Sequence, residues 1–192
     1  MYDLHSILIQ LKKEDTPLHG IMVRCVHCFY QRLTHALQED PALFELWAQE
    51  LELIYGDLRQ RLSPNAKTDA GSLGDRFGFD TPPELPRLLQ SIQTFYSVLI
   101  KLIAWNTLRG ATPEPPLTEL LSGRAFVNRG IRNFCGDDWY IWPLDIWDPA
   151  LETQCEELRA CLESFDTCPE GSTLSPDSLS RIYETVVPPA LR

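Results

Sequence analysis

Four groups of residues have the types and spacing to do chemistry. The first is Cys25-Val26-His27-Cys28, with His19 and His35 on either side. It has the form of half a zinc site, but a structural zinc needs four ligands, usually from two such pairs. There is no second Cys-x-x-Cys, and on a helix His27 is turned away from both thiols. The residue after Cys28 is Phe29, which excludes a c-type haem attachment. This group reads as packing. The second is Gly71-Ser72-Leu73-Gly74-Asp75-Arg76-Phe77-Gly78. No strand precedes it, and it lacks the Lys-Ser/Thr of a phosphate-binding loop, so it reads as a flexible connection.

The third group is Asp137, Asp138, Asp145 and Asp148, set among Trp139, Trp142 and Trp147. Paired acids near aromatics can form a catalytic or sugar site. Here Asp148 already has a structural task, as the residue before Pro149 at a helix start, and the cluster reads as packing and capping. The fourth is Lys101, a single charge inside an otherwise apolar run. Its long stem can lie in a core with the amine reaching a rim or a carboxylate. The sharper alternative is a polar contact to DNA or to another domain. No Ser-His-Asp or Cys-His set has a recognisable local context.

The elements that must position these residues are helices. Ser91–Trp105 is apolar on almost every face and carries only Gln93 and Lys101 as long polar groups. Such a helix must be surrounded, and its apolar run is too short to span a bilayer. It is therefore taken as a central, protein-covered helix over about 84–109. Before it, Leu4–Leu11 predicts a short helix. Leu18, Met22, Cys25, Phe29, Leu33 and Leu37 form a stripe predicting a helix over 17–38. Leu43, Trp47, Leu51, Ile54, Leu58 and Leu62 predict another, from 41 to about 62. Residues 63–83, with their glycines and prolines, form one long loop. After the central helix come a short helix at Leu117–Leu121, an ambiguous stretch at Phe126–Cys135, and helices starting at Pro149 and Pro176. Four of these starts share a Thr, Asp or Ser followed by proline, the pattern of a cap residue and first helical position.

The chain is 192 residues long, with 17 basic and 27 acidic residues and a net charge of −10. That suits one all-α domain, an irregular bundle of about five to seven helices over residues 1–192. It is a poor balance for a stand-alone nucleic-acid binder, whose affinity rests on neutralising phosphates. A local exception is Arg124, Arg129 and Arg132, three cations within nine residues. There is no secretory signal and no membrane-spanning run. Cys25, Cys28, Cys155 and Cys161 sit inside helical patterns, so the cysteines read as reduced thiols of a cytoplasmic protein.

The segment from Gly130 to Arg192 carries a further pattern. It contains Gly130-Ile131-Arg132-Asn133-Phe134, Trp139-Tyr140, Leu144-Asp145-Ile146-Trp147-Asp148, Leu174-Ser175-Pro176-Asp177 and Ile182-Tyr183 through Val187-Pro188 to Arg192. This series resembles the region just ahead of the catalytic domain in large N6-adenine DNA methyltransferases of the type IIG-like restriction–modification and phage-defence kind. Tyr96, Leu99, Lys101 and Leu102 approximate a Tyr-x-x-Leu-x-Lys-Leu pattern common there. Trp47 and Tyr55-Gly56-Asp57 fit the same layout more loosely. The family's Gly-Glu-Tyr/Phe-Tyr-Thr-Pro and Asn/Asp-Pro-Pro-Tyr motifs are not in this sequence.

The resemblance implies a non-catalytic helical scaffold, N-terminal to a methyltransferase domain on the same or a neighbouring polypeptide. No cofactor is expected in this chain, and S-adenosylmethionine would belong to the parent enzyme. DNA is the implied partner, through Arg124, Arg129 and Arg132, and no membrane is involved. Tyr96, Trp139, Trp142, Trp147 and Tyr183 are expected in the core. Lys101 is expected there too, paired with an acid from Asp137–Asp148 or with Asp57. The rival reading is a stand-alone adaptor that binds other proteins through the aromatic segment Trp139–Trp147. A metal-dependent enzyme built on Cys25 and Cys28 is a third.

Overall fold

A computed structural model of the chain describes residues 4–39, 49, 74–108, 113–135, 141–165 and 176–187. The helix expected over 41–62, the first half of the 63–83 loop, Trp139 and the residues beyond Val187 lie outside the described residues. Within them the protein is all-α. Helices α1 (Leu4–Lys12), α2 (Pro17–Glu39), α3 (Leu85–Leu108), α4 (Leu117–Leu121), α5 (Arg124–Val127), α6 (Pro149–Glu163) and α7 (Pro176–Val186) follow in order. One turn of 3-10 helix, Trp142–Leu144, precedes α6.

The proline starts work as local chemistry requires. Asp148 is extended and its carboxylate accepts the Leu151 N–H at 2.9 Å, with Pro149 filling the first helical position. The same carboxylate pairs with Arg32 of α2, so one aspartate caps α6 and ties it to α2. Asp148→Ala is expected to cost about 1–2 kcal/mol of stability, and Asp148→Asn, which keeps a capping oxygen, less than half of that. Urea denaturation of the two variants checks the order.

Helix α3 is the centre. It packs against α2 above all, and also against α4, α6 and α7. By length and composition it could cross a membrane, but 78% of its most apolar window is buried inside the fold. Phe95, Ile92, Leu88 and Leu99 are fully buried, each contributing on the order of 1.5–3 kcal/mol of transfer free energy. Ser91 and Thr94 on this helix are satisfied within it. They donate to the Arg87 and Gln90 carbonyls, each four residues back. Helix α2 contributes Leu18, Met22, Cys25, Val26, Phe29 and Leu33 to the same core, and α6 adds Leu151, Cys155, Leu158 and Leu162.

The stretch expected to be a flexible glycine-rich connection is anchored over its described part. Residues 74–76 form a helical turn that ends in a Schellman cap. Phe79 N–H bonds the Gly74 carbonyl at 2.8 Å, and Gly78 N–H bonds Asp75 at 3.1 Å, with Gly78 at φ +70°. Phe77 is fully buried. Phe79 stacks on His27 with ring centroids 4.0 Å apart and packs edge-on against Tyr30 at 4.9 Å. The Tyr30 hydroxyl accepts the Glu84 N–H at 2.9 Å. Residues 74–84 are thus a strap laid along the His19, Val23, His27, Tyr30 face of α2. Glycine here supplies a helix stop, and not slack.

Candidate functional site

Arg124, Arg129 and Arg132 are held by two turns that only glycine makes cheaply. Gly123, at φ +81°, ends α4 and begins α5. The backbone of Phe134 crosses so close to it that a Cβ at Gly123 would lie 2.0 Å from the Phe134 carbonyl oxygen. Gly130, at φ +78°, closes α5 in a Schellman cap: Ile131 N–H bonds the Phe126 carbonyl at 3.0 Å and Gly130 N–H bonds Val127 at 2.9 Å. Ile131 and Phe126 both pack into the core, the apolar contact that accompanies this cap. The ambiguous Phe126–Cys135 stretch is therefore a short helix, its cap and a return loop. Glycine followed by isoleucine, five residues after Phe126, is the signal of this cap in the sequence.

The three arginines do not form one equivalent set. Arg124 and Arg132 are exposed and make no ion pair among the described residues. Arg129 is exposed at its surface edge but engaged. Its guanidinium donates to the Leu108 carbonyl at 3.0 Å and lies 5.5 Å from the Trp105 ring centre. Leu108 is the last residue of α3, a helix with no basic residue of its own in its last turn. Last-turn carbonyls lack intrahelical donors, and a cation there is favoured by the helix dipole. Arg129 thus serves the α3 terminus.

Lys101 belongs to the same device. It is 3% exposed, and its ammonium donates to the Leu121 carbonyl, at the end of α4, at 2.8 Å. Asp57 and Asp137, two of the expected carboxylate partners, lie outside the described residues, and Asp148 is taken up by Arg32 and the α6 cap. The described partner is a main-chain oxygen because α4 ends against α3 and leaves that oxygen buried. A third instance is Arg76, which donates to the Thr185 carbonyl in the last turn of α7 at 2.7 Å. Three helices therefore end on cations supplied from elsewhere in the chain.

Tyr96 of α3 and Tyr183 of α7 meet edge-to-face, 5.3 Å between centroids. Burial, and then Tyr183, push the Tyr96 phenol above its ordinary pKa. Trp142 is buried. Its indole N–H donates to the Thr94 hydroxyl at 3.0 Å, and its ring meets Phe29 edge-on. Trp147 is half-buried against the core. The described part of the aromatic segment is thus turned largely inward.

Cys25 and Cys155 are buried where α2 meets α6. Burial pushes the Cys25 thiol well above the usual range and Cys155 up to about 12. Cys28 and Cys161 are raised by burial as well. The thiolate is the form that attacks disulfides and binds metals, so these groups are held in their less reactive state. No group of three His, Cys, Asp or Glu residues among the described ones could hold a metal ion.

Fold and site together define an all-α bundle in which Lys101, Arg76, Arg129, Arg32 and Asp148 serve as internal ties. No protein-family model matches the chain, and neither a curated protein nor a solved structure matches it.

Proposed function

We propose that the chain is a helical scaffold module of an adenine-specific DNA methyltransferase, with a limited DNA contact at Arg124 and Arg132. The observation that carries the scaffold reading is the use made of its chemically capable groups. Lys101, Arg76 and Arg129 end helices, Asp148 and Arg32 tie α6 to α2, and Arg24 reaches Glu157 at 2.7 Å across the same pair of helices. The methyltransferase parent rests on the resemblance over Gly130–Arg192. The DNA contact rests on the exposed Arg124 and Arg132 in a chain of net charge −10.

Fluorescence anisotropy with a labelled duplex tests the contact. Weak, salt-sensitive binding is expected. The double variant Arg124→Gln/Arg132→Gln should flatten the slope of log affinity against log salt by about 0.9 for each phosphate no longer neutralised. Arg129→Gln should lower stability and leave that slope unchanged. Undetectable binding at low salt, or the same slope in the double variant, removes DNA from the proposal and leaves the scaffold alone.

A further inference from the structure

We propose that the seam between α2 and the 74–84 strap is a proton-sensitive latch, in which charging of His19 releases the strap. Two histidines of α2, two helical turns apart, face the same strap, one bonded to it and the other lining a cleft beside it. His27 Nε2 bonds the Phe77 carbonyl at 2.5 Å. A carbonyl only accepts, so Nε2 carries the hydrogen and donates it.

His19 is different. It is 6% exposed and lines a cleft of about 580 Å³ with Glu14, Val23, Asp75, Arg76 and Gly78. The charged groups around it come from three elements: Glu14 from the α1–α2 turn, Asp75 and Arg76 from the strap, and the end of α7 through the Thr185 carbonyl that Arg76 holds. Arg181 and Glu184 of α7 line a neighbouring groove with Thr185, against His5 and Lys12. Burial first, and then Arg76, pull the His19 pKa below 6.5, and Glu14 opposes them without prevailing.

The sign follows. With the strap closed the charged form of His19 is disfavoured, and with the strap lifted the ring is solvated and that penalty is removed. The open form binds more protons below about pH 6.5, so closure is fully supported above that pH and weakens as pH falls through it. The shift levels off once the closed form also protonates. A proton on His19 places a second positive charge beside Arg76, the residue that fastens the strap to α7.

Amide hydrogen exchange on the full chain, corrected for intrinsic rates, tests the latch at about pH 7.5 and about pH 5.5. Protection of strap peptides covering 74–84 should fall at the lower pH, by up to about tenfold for each unit separating the open and closed pKa values. Peptides from α3 and α6 should hold. His19→Gln, a neutral side chain of similar reach, should give equal strap protection at both pH values. His27→Gln should lower protection at both and leave the fall at the lower pH in place. Strap protection that is independent of pH in the wild type, or a pH response that survives His19→Gln, overturns the proposal. If His19→Gln does not fold, an NMR titration of the wild type decides: the Arg76 amide should shift with the His19 midpoint, and an Arg76 amide that does not follow His19 overturns the latch.

Discussion

Gly123→Ala is expected to lower the unfolding free energy by about 4 kcal/mol or more, the largest effect of an added methyl group among the described glycines. Two costs act together. The residue sits at φ +81°, which an L side chain occupies at a cost of about 1–2 kcal/mol. The new Cβ would also lie 2.0 Å from the Phe134 carbonyl oxygen and 2.6 Å from Cys135 Sγ. The first obstacle is backbone, so relief requires moving the return loop that carries Arg132. Two comparisons separate the costs. Gly130→Ala has the same backbone problem, at φ +78°, but nothing within 4 Å of the new methyl, and should cost only about 1 kcal/mol. Gly20→Ala, inside α2 with only the Arg24 guanidinium at 3.6 Å, should stabilise by about 0.5–1 kcal/mol. Urea denaturation ranks the three. Equal losses for Gly123→Ala and Gly130→Ala would mean that the Phe134 backbone does not cross Gly123.

Lys101→Ala is expected to cost about 3 kcal/mol, from the emptied space of the stem together with the orphaned Leu121 carbonyl. Lys101→Met keeps most of the packing volume and removes only the donor. Its cost should be about 1–2 kcal/mol, because relief from burying an ammonium offsets part of the missing hydrogen bond. The difference between the two variants measures packing, and the residual in Met measures the polar contacts of the ammonium, the helix-end bond among them. Should Lys101→Met match the wild type in urea denaturation, the bond to Leu121 contributes nothing net.

Local grammar makes most of the described helices legible in the sequence. The all-round apolar run around Phe95 has the composition of a surrounded helix, and Leu85–Leu108 is one. The Asp148-Pro149 pair announces a capped start, and Leu151 N–H is where the carboxylate bonds. What stays hidden is non-local. A lysine in an apolar run calls for a partner, but carboxylates are visible in a sequence and unpaired main-chain oxygens are not. The Leu121 oxygen needs a donor only because α4 ends against α3. The strap is hidden for a related reason: a cluster of glycines has the composition of slack, whereas Gly78 is the end of a turn whose neighbours, Phe77 and Phe79, are held by residues of α2. The arginine trio reads as one patch because clustering along the chain gives no information on side-chain engagement, and Arg129 is held by Trp105 and Leu108.

The helix endings supplied from elsewhere bear on how this sequence can change. The terminus of α3 depends on Arg129, that of α4 on Lys101 within α3, and that of α7 on Arg76 in the strap, 109 residues away in sequence from the carbonyl it meets. None of these helices can change its length alone without stranding a cation or a carbonyl. The unit of viable substitution is a helix together with its distant stop. Drift in this chain should therefore proceed by paired changes that tie segments far apart in the sequence, with each helix inheriting its length from a partner.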